Sequence, residues 1–280
     1  WRCATIGSWR KSAMEGRTLS QVESVKYDAR DGLSIPAYLT LPKGRDPAAL
    51  PLIVMPHGGP FIRDTWSYNP WAQFLADRGY AVLQPNFRGS TGYGRAFVEA
   101  GEGQWGRKMQ DDIDDGVKWL VQLGKVDPRL VCIMGASYGG YAAMWGAARN
   151  PEIYRCAISF AGISDVKAML KYDSRIGVPR RYYRDWRDRV RGDAGFDLDA
   201  ISPIEAADRI RVPLLIAHGK DDTNVPVSQS VKFHEALTRA GVPHEYVIYE
   251  GEGHDFEKVE NSADFLRRVE AFLTKHNPAK

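Results

Sequence analysis

The sequence predicts an α/β fold with a mostly parallel central sheet, antiparallel strands at its N-terminal end and helices on both faces. Three observations lead to this prediction. Residues 20–41 alternate apolar and polar side chains around a turn, short continuous apolar runs recur after Pro51, and helical patterns fill the intervals between those runs. Strands that alternate with helices are typical of a parallel sheet covered on both sides.

The first element is a hairpin around Asp31-Gly32. Val22–Tyr27 precedes this turn, and Leu33–Leu41 follows it with apolar residues at every second position. A two-residue Asp-Gly loop between alternating segments favours an antiparallel pair with one buried face.

The later strands are predicted from short apolar runs, because parallel strands between two helical layers have no polar face. The runs are Leu52–Met55, Ala81–Leu83, Val131–Met134, Ala157–Phe160, Leu214–Ala217 and Tyr246–Tyr249. The helices between them are predicted over Trp71–Arg78, Asp111–Leu123, Tyr138–Arg149, Ser228–Ala240 and Ala263–Lys275. The resulting order alternates strand and helix up to the last helix.

Domain organisation follows from this regularity. Residues 20–280 are expected to form one domain, residues 1–19 an N-terminal extension or linker remnant, and residues 162–205 an irregular insertion over the sheet.

The formal net charge of +3 arises from interspersed positive and negative residues, so it indicates neither a nucleic-acid partner nor an anionic membrane. The arginine-rich segment 175–191 is expected to be a solvated face. A homo-oligomer is compatible with this composition.

The cysteines are Cys3, Cys132 and Cys156, an odd number without metal-ligand spacing. Cys132 and Cys156 lie in apolar runs and are predicted to be small core residues, with no disulfide and no zinc site. The compartment is not identified by the sequence, although unpaired cysteines slightly favour a reducing, cytoplasmic one.

The segment Gly135-Ala-Ser-Tyr-Gly139 stands between an apolar strand and an Ala-rich helix. Gly-x-Ser-x-Gly in this setting is the pattern of a sharp turn that raises a serine oxygen above the sheet edge. The two glycines let the neighbouring backbone pass closely. Ser137 is therefore the candidate nucleophile, against the alternative of an ordinary turn serine.

A serine hydroxyl needs a base, and the base needs an acid that holds its tautomer. His254 lies in a glycine-rich loop that follows the last strand, where α/β sheets keep their ligands. Asp221 and Asp222 follow the preceding strand, and spacing alone does not choose between them. The order serine, aspartate, histidine is that of α/β-hydrolases.

An oxyanion cradle is the remaining requirement. The backbone N–H of Tyr138, the residue after the nucleophile, is one candidate donor. His57-Gly-Gly-Pro60 also leaves a strand end and offers the N–H of Gly59 as a second. His57 and His218 are expected to organise their loops without taking part in the chemistry.

Two other functional classes have weaker support in the sequence. Gly101-Glu-Gly-Gln-Trp-Gly106 matches the dinucleotide-binding pattern in letters, but no convincing strand precedes it and Glu102 would repel a pyrophosphate. An inactive interaction module is disfavoured because a serine, an acid, a histidine and a cradle are all retained.

Taken together, five motifs resemble the catalytic domain of the prolyl oligopeptidase family, and its acylaminoacyl and dipeptidyl peptidases in particular. They are His57–Pro60, Asn86–Gly94, Gly135–Gly140, His218–Pro226 and Gly253-His254, in the family's order. The resemblance covers roughly residues 20–275. It implies an α/β-hydrolase fold, Asp222 as the acid and backbone N–H groups of Gly59 and Tyr138 as oxyanion donors.

The resemblance also implies differences. Dipeptidyl members have a tyrosine where this chain has His57, so that oxyanion donor is absent here. Family peptidases generally carry an N-terminal β-propeller that screens substrates, and no blade repeat precedes the hairpin.

These features predict a serine hydrolase that acts through an acyl-serine without a metal or an organic cofactor. Because esters are easier to cleave than amides, the first expectation is a carboxylesterase or deacylase of small, short-chain acyl substrates. The alternative is a serine oligopeptidase of the acylaminoacyl or dipeptidyl type acting on short peptides, or its isolated catalytic domain. The acyl pocket is expected to draw on five residues of the insertion and the Asp222 loop: Ile163, Tyr172, Tyr182, Trp186 and Val225.

Overall fold

Eight strands form one sheet in the computed structural model, which describes residues 18–46, 48–176 and 179–279. They are β1 Val22–Asp28, β2 Ser34–Thr40, β3 Leu50–Val54, β4 Ala81–Pro85, β5 Val126–Ala136, β6 Cys156–Phe160, β7 Leu214–Gly219 and β8 His244–Tyr249. Their spatial order is β1-β2-β4-β3-β5-β6-β7-β8. β2 pairs antiparallel with β1 and β4, and all other pairs are parallel. The predicted fold class is confirmed.

Helices connect the parallel strands. Within the described residues they are α1 Pro70–Asp77, α2 Arg95–Glu99, α3 Lys108–Gln122, α4 Tyr138–Arg149, α5 Val166–Asp173, α6 Arg180–Arg191, α7 Ser228–Arg239 and α8 Val259–His276. Two 3₁₀ helices span Leu198–Ile201 and Pro203–Arg209. No helix in this part of the chain is both long and apolar enough to cross a membrane.

The central strands are buried on both faces. In β3, Leu52 and Val54 belong to one apolar core, whereas Ile53 belongs to a second core on the opposite side. β5 divides in the same way, since Ile133 faces the first core and Met134 the second. This two-sided burial is the physical reason why the runs in the sequence are continuously apolar.

The prediction for the cysteines was wrong in one respect. Cys132 and Cys156 are fully buried, as expected, but they form a disulfide. They are register partners on the neighbouring strands β5 and β6, with their Cα atoms 4.8 Å apart. Because adjacent parallel strands bring paired residues this close, the register makes the bond, and sequence spacing does not reveal the register. Because Cys132 and Cys156 are paired, these two residues no longer favour a reducing compartment. Cys3 lies outside the described residues.

The segment predicted as an insertion, residues 162–205, contains helices that the sequence analysis did not predict. α6 turns Tyr183, Trp186 and Val190 towards the protein, whereas Arg180, Arg181 and Arg184 are exposed. The prediction for residues 1–19 falls almost wholly outside the described residues.

A buried arginine ties the hairpin to the helical layer. Arg88, which follows β4, donates from Nε and Nη2 to Asp112 of α3 at 2.8 and 2.7 Å and from Nη1 to Asp31 of the hairpin turn at 2.9 Å. Both residues of the Arg88–Asp112 pair are at least nine-tenths buried. The loop that follows β4 is thereby fixed to the first two strands.

Candidate active site

Ser137 lies at the turn between β5 and α4. Its backbone has φ 59° and ψ −121°, outside the regions that residues with a side chain usually adopt. The N–H of Ser137 donates to the carbonyl of Phe160 on β6 at 2.9 Å, and its own carbonyl accepts the first helical hydrogen bond, from Tyr141. The strained turn is thus held from both sides, as in a nucleophile elbow.

The two glycines of the motif are required sterically. A Cβ on Gly135 would lie 2.5 Å from the backbone of Gly139. A Cβ on Gly139 would lie 2.1 Å from the carbonyl oxygen of Pro56. Both distances are below any real carbon contact, so only glycine lets the first turn of α4 approach β5 and the loop after β3.

Asp222 and His254 form a hydrogen-bonded pair. The Nδ1 of His254 lies 2.7 Å from Oδ2 of Asp222, which is buried. The other oxygen, Oδ1, accepts the backbone N–H groups of Asn224 and Val225 at 2.8 and 2.9 Å. With these bonds the carboxylate orients the imidazole and leaves Nε2 as the nitrogen that can accept a proton.

The structure distinguishes the two candidate aspartates. Asp221 is exposed, whereas Asp222 is buried against two histidines. Burial alone would raise the pKa of Asp222, but the hydrogen bonds from His218, His254 and the N–H of Val225 outweigh it and lower that pKa well below its usual range. Asp222 is therefore the carboxylate that stays ionised beside His254.

Three further residues hold the two loops; this role was expected from the sequence for His218, whereas Glu252 and Gly219 were missed. His218 donates through Nε2 to Asp222 Oδ2 and to the carbonyl of Val225, and its Nδ1 accepts from Ser230 Oγ at 2.6 Å. Glu252 is fully buried and accepts the N–H of Glu257 at 2.7 Å, which shapes the His254 loop. A Cβ on Gly219 would lie 2.0 Å from the carbonyl oxygen of Gly253, so that loop closes over the end of β7.

The loop after β3 lies beside the nucleophile. A Cβ on Gly58 would be 3.4 Å from the Cβ of Ser137. Gly59 has φ 105° and precedes a cis peptide bond to Pro60. The N–H of Tyr138, at the first position of α4, has no partner within its own helix. Gly59 lines the same cavity as Ser137, and Tyr138 follows Ser137 directly in the chain.

His57 holds the loop after β3 in place. Its ring stacks on Phe87 with centroids 4.3 Å apart, Nδ1 donates to the carbonyl of Gly58 at 2.7 Å, and Nε2 lies 2.8 Å from Ser90 Oγ. Burial lowers the pKa of His57 to about 4, although the bond to Gly58 opposes the shift. The ring is therefore neutral at pH 7.

A cavity of about 330 Å³ opens beside the serine, which we name the acyl cavity. Its lining comprises Gly59, Ser137, Ile163, Met169, Asp173, Ile176, Tyr183, Trp186, Asn224, Val225 and His254. Ser137 and His254 share this cavity, but no hydrogen bond joins them in the described part of the chain. Such bonds are often long before substrate binds.

Among the five expected pocket residues, Ile163, Trp186 and Val225 line the cavity. The expectation for Tyr172 and Tyr182 needs correction. Tyr172 donates its hydroxyl to the carbonyl of Thr223, and Tyr182 is 54% exposed.

Helical rotation explains this difference. On α5, Met169 and Asp173 are four residues apart and share the cavity face, which Tyr172 misses by one position. On α6, Tyr183 and Trp186 share that face. The spacing of these residues within each helix would have indicated which of them face the cavity, but the sequence analysis predicted neither helix.

The rejected dinucleotide motif forms turns between α2 and α3, with no strand before it. Gly101 is instead packed against Gly89. Within the described residues, no group of three or more His, Cys, Asp or Glu side chains is arranged to hold a metal ion.

A family model described as the prolyl oligopeptidase family matches residues 66–278. The chain belongs to the prolyl oligopeptidase family. It is 38% identical over 276 residues to dipeptidyl aminopeptidase BIII of Pseudoxanthomonas mexicana, covering 94% of this chain and 39% of that protein. It is 28% identical to the human acylamino-acid-releasing enzyme, covering 91% of this chain and 35% of that enzyme.

Solved structures agree with this assignment. A puromycin-hydrolysing peptidase of Mycobacterium tuberculosis superposes with a TM-score of 0.84 and 29% identity, covering 93% of this chain and 40% of that one. An acylaminoacyl peptidase from Pyrococcus horikoshii gives a TM-score of 0.87 at 21% identity, with 99% and 45% coverage, which supports the fold.

The chain spans about two fifths of the length of its first curated relatives. The resemblance inferred from the motifs and the prediction of a serine hydrolase are confirmed. These relatives are named as peptidases, which favours the alternative expectation, a peptidase, over the esterase that was expected first.

Proposed function

We propose that this prolyl oligopeptidase-family chain is a serine peptidase that cleaves an amide bond in short peptides through an acyl-Ser137 intermediate. The observation that supports it most is the 2.7 Å hydrogen bond between Asp222 and His254, whose side chain lines the same cavity as Ser137. The names of the relatives support the amide substrate.

The arrangement suggests a sequence of steps. His254 Nε2 takes the proton of Ser137 as Oγ attacks the carbonyl carbon, and Asp222 stabilises the imidazolium that forms. The N–H groups of Gly59 and Tyr138 stabilise the oxyanion. The tetrahedral intermediate then expels the amine, which receives the proton from His254. Water repeats the cycle on the acyl-enzyme and frees the acid.

Fluorophosphonate labelling tests the nucleophile. We expect a single modified residue, Ser137, by mass spectrometry, and no adduct in Ser137→Ala. The same variant should lose about 10⁴-fold or more in kcat. Ser34→Ala, an exposed serine at the start of β2, is the matched control and should label normally. An adduct at another serine would contradict the assignment.

A substrate panel tests the bond that is cleaved. We expect dipeptidyl and N-acylaminoacyl p-nitroanilides to be hydrolysed through acyl-Ser137, and p-nitrophenyl acetate to be hydrolysed in the same way. If the acetate is cleaved and every anilide is left intact, the ester preference expected first from the sequence is correct and the peptidase proposal is wrong.

A further inference from the structure

The acyl cavity contains one acidic side chain. Its walls are apolar at Ile163, Met169, Ile176 and Val225, whereas Asp173 brings a carboxyl group to the same lining. Asp173 is the last residue of α5 and is partly buried. An acid among apolar walls has a desolvation cost unless a partner of opposite charge or a donor reaches it.

One of the two carboxyl oxygens is occupied. Asp173 Oδ2 accepts the indole N–H of Trp186 at 2.9 Å, which links α5 to α6. Within the described residues, Oδ1 has no hydrogen-bond partner and no salt bridge reaches Asp173. The pKa of Asp173 is raised by burial, against the effect of the Trp186 bond, as expected for a carboxyl that lacks a cation.

The arginines of the insertion do not supply that cation. Arg180, Arg181 and Arg184 are exposed on the outer side of α6, and Arg181 stacks on Tyr182. Arg189 pairs with Glu102 and lies over the Phe61 ring. The positive charge of these four arginines is therefore directed to solvent and to other partners.

We propose that Asp173 makes the acyl cavity selective for a residue whose side chain has an apolar stem and a cationic end, as in lysine. The stem would lie against the apolar walls, and the ammonium group would meet Oδ1 of Asp173. This inference rests on the proposed function, because it takes Ser137 as the atom that attacks the carbonyl of that residue.

Four p-nitroanilides test it: alanyl-lysyl and alanyl-norleucyl anilides, each with a free and with an acetylated α-amine. Norleucine keeps the lysine stem without the ammonium group. We expect the wild type to prefer lysine over norleucine in kcat/KM by roughly tenfold or more, with either α-amine. Equal rates, or a preference for norleucine, would overturn the inference.

A variant separates charge from structure. Asp173→Asn keeps an oxygen that can accept the Trp186 N–H but removes the charge, so the lysine-to-norleucine ratio should fall towards one. Asp185→Asn removes the same charge from an exposed position on α6 and should keep the wild-type ratio. If both variants keep it, Asp173 does not determine the specificity.

The remaining outcomes distinguish the two proposals. A preference that follows the free α-amine and ignores the side chain would show that the cation belongs to the peptide terminus, and the inference would be wrong. Hydrolysis of norleucine substrates alone would overturn the inference and leave the peptidase proposal intact. Absence of both anilide hydrolysis and fluorophosphonate labelling would refute the proposed function itself.

Discussion

Ser137 has a backbone conformation, φ 59°, that costs a residue with a Cβ about 1–3 kcal/mol. The surroundings hold it there: its N–H bonds to β6, and Gly135 and Gly139 permit close backbone contacts. The Gly-x-Ser-x-Gly motif was informative because each of its two glycines is sterically required at its position. The glycines could be predicted from the sequence for the same reason, whereas the supporting Glu252 and Gly219 could not, since their contacts are with distant loops.

The neighbouring aspartates give the first prediction at the residue scale. Asp222→Asn should lower kcat by about 10⁴-fold, because an amide at this position favours the wrong tautomer of His254. Asp221→Asn changes the same formal charge one residue away, at an exposed position, and should stay within about twofold of the wild type. Steady-state kinetics on one anilide substrate measures both. Similar losses in the two variants would contradict the assignment.

His57 gives a pH-dependent prediction. Burial lowers its pKa in the folded protein to about 4, from an ordinary value of 6.5. Between these values the unfolded chain binds a proton that the folded chain does not, so the free energy of unfolding falls as the pH decreases from 6.5 to 4. The slope contributed by this group is about 1.4 kcal/mol per pH unit and vanishes above pH 6.5.

Urea denaturation at several pH values measures this effect in the wild type and in His57→Gln. The glutamine cannot titrate, so the variant should lose stability less steeply below pH 6.5. The stability advantage of the wild type over the variant at pH 8 should therefore shrink on acidification. Parallel curves would mean that another group accounts for the acid sensitivity.

At the level of elements, the sequence predicted those with strong periodic patterns. The observed α4 has the predicted bounds, Tyr138–Arg149. The five-residue α2 and the arginine-rich α6 were missed, the first because it is short and the second because only Val190 is fully buried. The cavity lining was incompletely predicted because it depends on the rotation of α5 and α6, and neither helix was predicted from the sequence. The disulfide depends on strand register, which no single strand encodes.

The disulfide gives a prediction about the β5–β6 pair. The Cys132→Ala/Cys156→Ala variant should lose about 3 kcal/mol in the free energy of unfolding, because the bond closes a loop across a sequence separation of 24 residues in the unfolded chain. Either single substitution also removes the bond, so it should account for most of the loss seen in the double variant. Urea denaturation without reductant measures this. Purely additive single effects would indicate that the thiols are not bonded.

At the scale of the whole molecule, the candidate site is a consequence of parallel strands. β3, β5, β7 and β8 point the same way, so the loops that follow them meet at one edge of the sheet. The sheet supplies rigidity at that edge, since every residue of β3, β4 and β6 is buried. The insertion supplies much of the cavity wall from helices with far fewer buried residues. Ser137 therefore lies between the rigid sheet and the weakly packed insertion.

This unequal packing predicts that activity is lost before the fold. As urea increases, α6 should detach first, because one residue of its twelve is buried. The hydrolysis rate should then fall at a lower urea concentration than the far-UV ellipticity, which reports the sheet and its covering helices. Trypsin cleavage should accelerate first at Arg180, Arg181 and Arg184 over the same range of urea. Coincident loss of activity and ellipticity would mean that the insertion and the sheet unfold as one cooperative unit.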